Sequence, residues 1–366
     1  MKYQKQNMKF NNKFKIGKKY VGAKQQCYFI ADIGANHDGD INRAKKLIRL
    51  CADNGVDGVK FQHFQAQTIV SDYGFKNLGK KSSHQSKWKK SVFETYKKAS
   101  LNLEWNKTLI DECKKYNVDF LTSPYSYDLV KNISKIVSAI KVGSGDITWI
   151  ELIKFIAKQK KPIIIATGAS KLTDVKRAVM AAKRFNNKIV LMQCNTNYSG
   201  EEKNFKFLNL NVLHTYKKKF QNIILGLSDH TQGYSSVLGA VALGAKVIEK
   251  HFTDNRRRSG PDHKFAIEPS EWSEMVKETR RLESSLGNDI KKIEFNEKET
   301  VVLQRRSIRA KNIIRKGHVI KKNDLVFLRP SPNGAMDPFE YKKIINKVAI
   351  KDIPKEECLI IKKNIK

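Results

Sequence analysis

At 366 residues the chain can bury a full core and exceeds one small module, so a large domain plus a small one is the expected plan. No apolar run approaches the roughly 18 residues of a membrane span, and five widely spaced cysteines without a C-x-x-C pair exclude a disulfide scaffold or zinc ribbon and point to a reducing cytoplasm. The net charge of +35 comes mostly from lysines scattered among Asn and Ile, with no Arg-rich tract or aromatic-interleaved basic patch. That argues against a nucleic-acid partner and leaves a field that attracts acidic small substrates.

Residues 1–24 read as a basic N-terminal extension, without the apolar core and cleavage site of a signal peptide. Eight short β-rich runs follow, at 27–34, 55–62, 118–124, 139–145, 162–168, 188–194, 223–229 and 246–252. Most intervals carry helical spacing. In "INRAKKLIRLCADNG" the residues Ile41, Ala44, Leu47, Ile48 and Cys51 recur on one face, and Asn54-Gly55 supplies a stop. Near-continuous apolar strands alternating with helices mean a parallel sheet covered on both faces, and eight of them predict an α/β fold of the (β/α)₈ TIM-barrel type over 25–288. A doubly wound open sheet is the rival, but "DIGANHDGD" after the first run lacks the G-x-G-x-x-G nucleotide loop. The connection over 63–117 is far longer than a usual βα loop, as expected of a lid or wall over the site or of a surface decoration. A charged linker over 289–302 leads to short β-like pieces over 303–366, predicting a small, mostly β domain.

In such barrels the active site lies at the C-terminal ends of the strands. Those ends present Asp32, Asn36 and His37; Lys60 and Gln62; Thr122 and Ser123; Lys141, Ser144 and Asp146; Thr167; Gln193, Asn195 and Tyr198; Ser228, Asp229 and His230; Glu249 and His251. Lysines inside apolar strands are costly unless paired. Lys60 and Lys141, beside small hydroxyl residues, therefore point to an anionic ligand such as a phosphate, with a structural ion pair as the alternative. His230 and His251 close consecutive strands, so their imidazoles can converge on one divalent ion, with Asp229 or Glu249 behind them. Ordinary hydrogen-bonded core histidines are the other reading.

The motifs "FIADIGANHDGDINRAKKLI", "VKFQ", "KVGSGD", "PIIIATGAS", "LGLSDHT", "GAKVIEKHFT" and "GPDHKFAIEP" resemble, in order and spacing, the N-acetylneuraminate (sialic acid) synthase family. The tail, with "SIRAKNIIRKGHVIKKNDLVFLRP", resembles the antifreeze-like (SAF) domain that ends those enzymes. The resemblance implies condensation of phosphoenolpyruvate with an acetamido hexose such as N-acetylmannosamine, giving a nine-carbon 2-keto acid and phosphate. It assigns phosphoenolpyruvate to Lys60, Ser123, Lys141, Ser144 and Ser228, with Thr167 as the nearest hydroxyl after Ala166. It assigns a divalent metal, Mn²⁺ with Mg²⁺ or Co²⁺ as alternatives, to His230 and His251. The acceptor sugar falls to Gln62, Tyr198, Asp262 and Arg329, the last from the tail of a partner chain in a domain-swapped homodimer. Asp32 and Asp146, together with Lys60, are the catalytic candidates.

The sequence departs from the family at Asp32, where the resemblance leads one to expect a glutamate, and at Asp146, where the family often has glutamate although "GSGD" is also a common form, and "CNTNYSG" alters the acceptor wall. Acceptors of the legionaminic or pseudaminic acid type are therefore alternatives. So are a seven- or eight-carbon synthase, a Schiff-base aldolase using Lys60 or Lys141, and a carbohydrate- or nucleic-acid-binding protein that has lost activity. In "RRRSGPDH", Arg256, Arg257 and Arg258 read as a solvated turn and Asp262 as functional.

Overall fold

The eight apolar runs fold as the parallel strands of a closed barrel in a computed structural model that describes residues 9–78, 88 and 90–366. After a hairpin of β1 (Lys13–Ile16) and β2 (Lys19–Gly22) come β3 (Tyr28–Asp32), β4 (Gly58–His63), β5 (Asp119–Pro124) and β6 (Ile140–Val142). β7 (Ile163–Ala166), β8 (Ile189–Cys194), β9 (Ile224–Asp229) and β10 (Val247–His251) complete the ring, which closes where β10 pairs with β3. The chain is thus a TIM-type barrel followed by a small antiparallel unit.

Alternation along each strand sorts the side chains. Outward residues such as Phe29, Val59, Phe61 and Phe120 pack under the helices. The helix Ile41–Asp53 shows why one forms there: the Asp40 side chain caps it by accepting from the Asn42 and Arg43 amides, and Ala44, Leu47, Ile48 and Cys51 form its buried stripe. Each fully buried Leu or Ile of this kind contributes about 1.5–3 kcal/mol. Inward residues in the lower barrel, including Ile30, Leu121, Ile164 and Met192, form a second core.

Phe14, Ile16 and Val21 of the hairpin join that inner core, so part of the supposed basic extension is packed structure. The hairpin turns at Gly17, whose φ of +53° suits glycine and where a Cβ would fall on the Asp119 carboxylate. Nearby, Asp119 accepts from Tyr28 Oη at 2.7 Å and Ser138 Oγ at 3.3 Å, while Asp57 accepts from the Phe29 amide at 2.7 Å and pairs with Lys19.

The register sets the mouth. Asp32 of β3 lies level with Lys60 of β4 and His251 of β10, and Gln62 of β4 lies level with Ser123 of β5. The long connection after β4 folds into the helices Ala66–Ile69, Asp72–Asn77 and Val92–Ala99 before the barrel's own helix Asn106–Lys115. Residues 79–87 and 89 of that connection lie outside the described residues.

Residues 288–366 form a second compact unit. The helix Lys298–Gln304 occupies part of the expected linker, and the Val302 carbonyl accepts from the Ser331 amide at 2.7 Å. β11 (Ser307–Ala310) pairs antiparallel with β12 (Leu325–Leu328), over a core that includes Ile308, Ile320, Ile344, Ile353 and Leu359. All five cysteines are free and buried, and no helix among the described residues is long and apolar enough to cross a membrane.

Candidate active site

A cavity of about 370 Å³ opens at the C-terminal mouth of the barrel. Its floor holds two lysine–carboxylate pairs. Lys60 Nζ lies 2.7 Å from Asp32 Oδ2 and 3.3 Å from Ser123 Oγ, and Gln62 Nε2 donates to the same Asp32 oxygen at 2.9 Å. Lys141 Nζ is bonded to Glu249 Oε1 and lies 3.1 Å from Ser228 Oγ. Asp32, Lys60 and Glu249 are each only 1% exposed.

Burial alone pushes the Asp32 carboxyl up, but Lys60, His251 and Lys141 outweigh it and hold the group well below the usual carboxylate range. Burial likewise depresses the Lys60 ammonium, and Asp32 and Glu249 more than restore it, so that it sits above its ordinary value. Both partners therefore stay charged. The second pair is left incomplete: Glu249 Oε2 is buried without a hydrogen-bond partner among the described residues.

His230 and His251 stand beside this floor with ring centroids 5.5 Å apart, both backed by Phe265. His230 Nδ1 donates to the Asn195 carbonyl at 2.9 Å, which orients the ring. His251 Nδ1 is buried without a hydrogen bond among the described residues, 3.8 Å from Asp262 Oδ2, and His251 Nε2 is 3.4 Å from Asp32 Oδ2. Among the described residues no group of three or more His, Cys, Asp or Glu is arranged to hold a metal ion. Two neighbouring imidazoles, one with an orphaned buried nitrogen, do fit a divalent ion that leaves positions open for water or substrate.

Asp146, on the 3₁₀ turn Ser144–Asp146, lines the cavity from the β6 side. Its carboxylate has no hydrogen-bond or ion-pair partner among the described residues, and burial raises it from 3.8 to about 6. An unpaired carboxyl titrating near neutrality is equipped to take and return a proton. Phe64, Ile69, Trp88, Tyr96 and Tyr125 also line the cavity, most of them from the long connection.

The NeuB family signature matches residues 47–291, more than half of the chain. The chain belongs to the NeuB family. Residues 305–359 match the SAF domain, which accounts for the small unit. The N,N'-diacetyllegionaminic acid synthase of Campylobacter jejuni is 37% identical over 92% of this chain and 99% of its own length. The N-acetylneuraminate-9-phosphate synthase of Mus musculus is 31% identical over 75% of each chain. The solved N-acetylneuraminic acid (sialic acid) synthetase of Leptospira borgpetersenii, in complex with citrate, is 27% identical with a TM-score of 0.69, over 80% of this chain and 96% of its own.

In this NeuB-family barrel Asp32, Lys60, Gln62, Ser123, Lys141, Ser144, Asp146, Tyr198, Ser228, His230, His251 and Asp262 all line one cavity. Ser144 Oγ also accepts from the Gly168 amide at 3.0 Å, and Asp262 Oδ2 accepts from the Ala35 amide at 2.9 Å. Thr167 is a correction. It follows inward-facing Ala166, turns away from the mouth, and is consumed by bonds to the Met192 carbonyl at 2.8 Å and Tyr216 Oη at 2.9 Å. Thr122 and Gln193 turn outward for the same reason, meeting His63 and the Leu208 carbonyl. Asp229 does not back a histidine; it is bonded to Lys250 Nζ at 2.5 Å and to Thr231 and Ser236. Arg329 is exposed on its own unit.

Asp38 binds the "NHDG" turn to the loop after β10, accepting from His263 Nε2 at 2.9 Å and Arg258 Nε at 3.0 Å. Arg256 pairs with Glu271 at 2.9 Å, so two of the three loop arginines are tied down. Sequence reasoning missed Phe265, Tyr125 and the pairing of Glu249 with Lys141. For Glu249 the signal was available, since it alternates with His251 and so shares its face.

Proposed function

We propose that this NeuB-family chain condenses phosphoenolpyruvate with an acetamido hexose and water, releasing phosphate and a nine-carbon 2-keto acid. The observation that supports it most is the pairing of two buried lysines with carboxylates on one floor, one pair incomplete, beside two convergent imidazoles. Lys60, Lys141, Ser123, Ser144 and Ser228 supply donors for the phosphate and carboxylate of phosphoenolpyruvate, where displaced lysine–carboxylate contacts are exchanged for ligand contacts. Gln62, Tyr198 and Asp262 orient the acceptor. A divalent cation held by His230 and His251 supplies Lewis-acid polarisation of the acceptor aldehyde when bound.

C3 of phosphoenolpyruvate forms the new bond to the aldehyde carbon, leaving cationic character at C2 that Asp32, held ionised by Lys60, stabilises. Water adds at C2 and gives its proton to Asp146, which is mostly ionised at neutral pH. The C2–O bond then breaks with its electron pair leaving on phosphate, the C2 hydroxyl gives up its proton to that phosphate as the ketone forms, and Asp146 returns its proton to the oxygen of the former aldehyde, which becomes a hydroxyl. Lys60 is a poor Schiff-base nucleophile because Asp32 keeps it protonated, which argues against an aldolase that uses this lysine.

The reading includes a homodimer in which Arg329 of one copy completes the acceptor side of the other. Mixing Lys60→Met and Arg329→Ala chains would then restore about a quarter of wild-type activity, whereas sites built within one chain would restore none. The function itself is tested by phosphate release from phosphoenolpyruvate with Mn²⁺ over a panel of aldoses, with the product weighed. A product of sugar plus pyruvate mass supports the reading. Silence from folded, metal-loaded protein across the panel overturns it in favour of a binding protein.

A further inference from the structure

The lysines that look scattered in the sequence are sorted by the fold. All eight barrel strands run the same way, so the helices between them start at the mouth and end at the base. Their first turns hold Asp128, Glu151, Asp174 and Glu271, and at that end Arg256 is matched by Glu271 and Arg258 by Asp38. Their last turns hold Lys131, Lys158, Lys183, Lys217, Lys218 and Lys219. Cations favour helix C-termini, which accounts for those six. It does not account for the hairpin, which closes the base with Phe14, Ile16 and Val21 inward and Lys13, Lys15, Lys18 and Lys24 exposed. Nor does it account for exposed Lys188, which lies past its helix and leads into β8. Carboxylates at this level are spent: Asp57 pairs with Lys19, Asp119 accepts from Tyr28, Glu112 faces Lys115 at 3.7 Å and Glu283 meets Arg280 at 2.7 Å. Asp53, exposed at the end of its helix, is the exception among the described residues.

Beside the base a groove of about 650 Å³ descends between the helices Leu172–Lys183 and Val212–Lys219. Lys9, Lys176, Lys183 and Lys219 line it together with half-exposed Leu172 and Met180, and no carboxylate of the described residues does. Two features separate the polyanions that could meet such a face. Its charges are spread over the ends of several helices and the hairpin, a disc rather than the stripe that a linear polymer follows. Its exposed aromatic, Tyr20, is covered by Lys13 and Lys15, whose Nζ atoms lie 4.8 and 5.0 Å from the ring centroid, so it offers no platform on which a base could stack. A plane of anionic headgroups meets all these ammonium groups at once, and a groove that joins cations to apolar side chains suits an amphiphile. We infer that the base of the barrel docks on an anionic lipid bilayer, the groove taking a headgroup, with the mouth left open to solution. The inference is independent of the synthase reading.

The test is co-sedimentation of the full chain with vesicles of phosphatidylcholine, alone or mixed with phosphatidylglycerol. At low salt the mixed vesicles should bind it at least about tenfold more tightly than phosphatidylcholine alone, and about 0.5 M salt should release it. Two variants neutralise three lysines each, on different elements of the base: Lys135→Gln with Lys188→Gln and Lys218→Gln, and Lys13→Gln with Lys15→Gln and Lys24→Gln. Each should weaken binding about 100-fold while keeping the wild-type urea midpoint. Lys311→Gln with Lys316→Gln and Lys355→Gln, on the small unit, changes the net charge equally and should leave binding within about threefold. Failure to bind the mixed vesicles overturns the inference, as does unchanged binding by either folded base variant or an equal loss in the small-unit variant. A duplex DNA fragment that strips the chain from the vesicles at equal phosphate concentration also overturns it, and makes the base a nucleic-acid surface.

Discussion

Three buried lysines sit on the barrel strands, each bonded to a carboxylate, and they serve two different ends. Lys250 and Asp229 face outward between β10, β9 and the covering helices. Lys250 Nζ meets Asp229 at 2.5 Å and the Thr231 carbonyl at 2.7 Å, while Asp229 also accepts from Thr231 and Ser236. Lys60–Asp32 and Lys141–Glu249 face inward at the mouth, on a cavity, with Glu249 Oε2 left without a partner among the described residues. Glu249 and Lys250 are consecutive, so the strand pleat alone sends one to the site and the other to the scaffold. A buried ion pair by itself is therefore no sign of a ligand; a buried pair with an unsatisfied atom facing a cavity is.

The largest effect that could break this contrast is catalytic. Lys141→Met should lower kcat/KM for phosphoenolpyruvate by about 10³-fold, worth about 4 kcal/mol. Turnover within tenfold of wild type would move this pair to the structural side.

Lys250→Met should do the reverse. Removing one partner of a fully enclosed pair costs about 3–5 kcal/mol, because Asp229 is left charged and dry. The urea midpoint should fall accordingly, while the chain still folded keeps its kcat and KM within about threefold. A variant of unchanged stability but dead chemistry would show that the outer pair reaches the site after all.

Asp146 sharpens the distinction through pH. Its folded value, about 6, lies above its ordinary 3.8, so the fold favours the neutral acid. The stability it contributes is full below about pH 3.8 and is lost as pH rises through about 6. Asp146→Asn should therefore be more stable than wild type by about 1–2 kcal/mol at pH 8, after discounting for partial exposure, and nearly equal to it at pH 4. If the carboxylate takes a proton from water, the same variant should lose about 10²–10³-fold in kcat and the acidic limb of the pH–rate profile near pH 6. Loss of the stability difference at pH 8 would mean that the group is hydrated rather than buried.

The barrel was legible because its eight runs are apolar on both faces, which in sequence only covered parallel strands require. The floor of the site was legible for a related reason: lysine at 60 and 141 and histidine at 230 and 251 are exceptions at strand ends, and exceptions there carry chemistry. The hairpin was not, since Phe14, Ile16 and Val21 are few and set among lysines. The aromatic lining was not either, because Phe64, Tyr96 and Tyr125 meet only through the folding of a long connection. Facing was the systematic gap. A residue one step past the last inward position looks like a mouth residue in sequence but points away from it, as Thr122, Gln193 and Thr167 do.

Thr167 gives the smallest and most discriminating effect. Placed among the phosphate ligands, as its position after Ala166 invites, its hydroxyl would matter to phosphoenolpyruvate, and Thr167→Val would raise KM at least tenfold. In the fold that hydroxyl instead donates to the Met192 carbonyl and accepts from Tyr216. Valine keeps the shape and leaves one buried carbonyl and one buried phenol short of a partner, at a cost of about 1–2 kcal/mol. The urea midpoint should therefore drop modestly while KM for phosphoenolpyruvate stays within about twofold. A raised KM at unchanged stability would mean that the strand rotates its end toward the ligand on binding, and the outward face of β7 would have to be counted as part of the site.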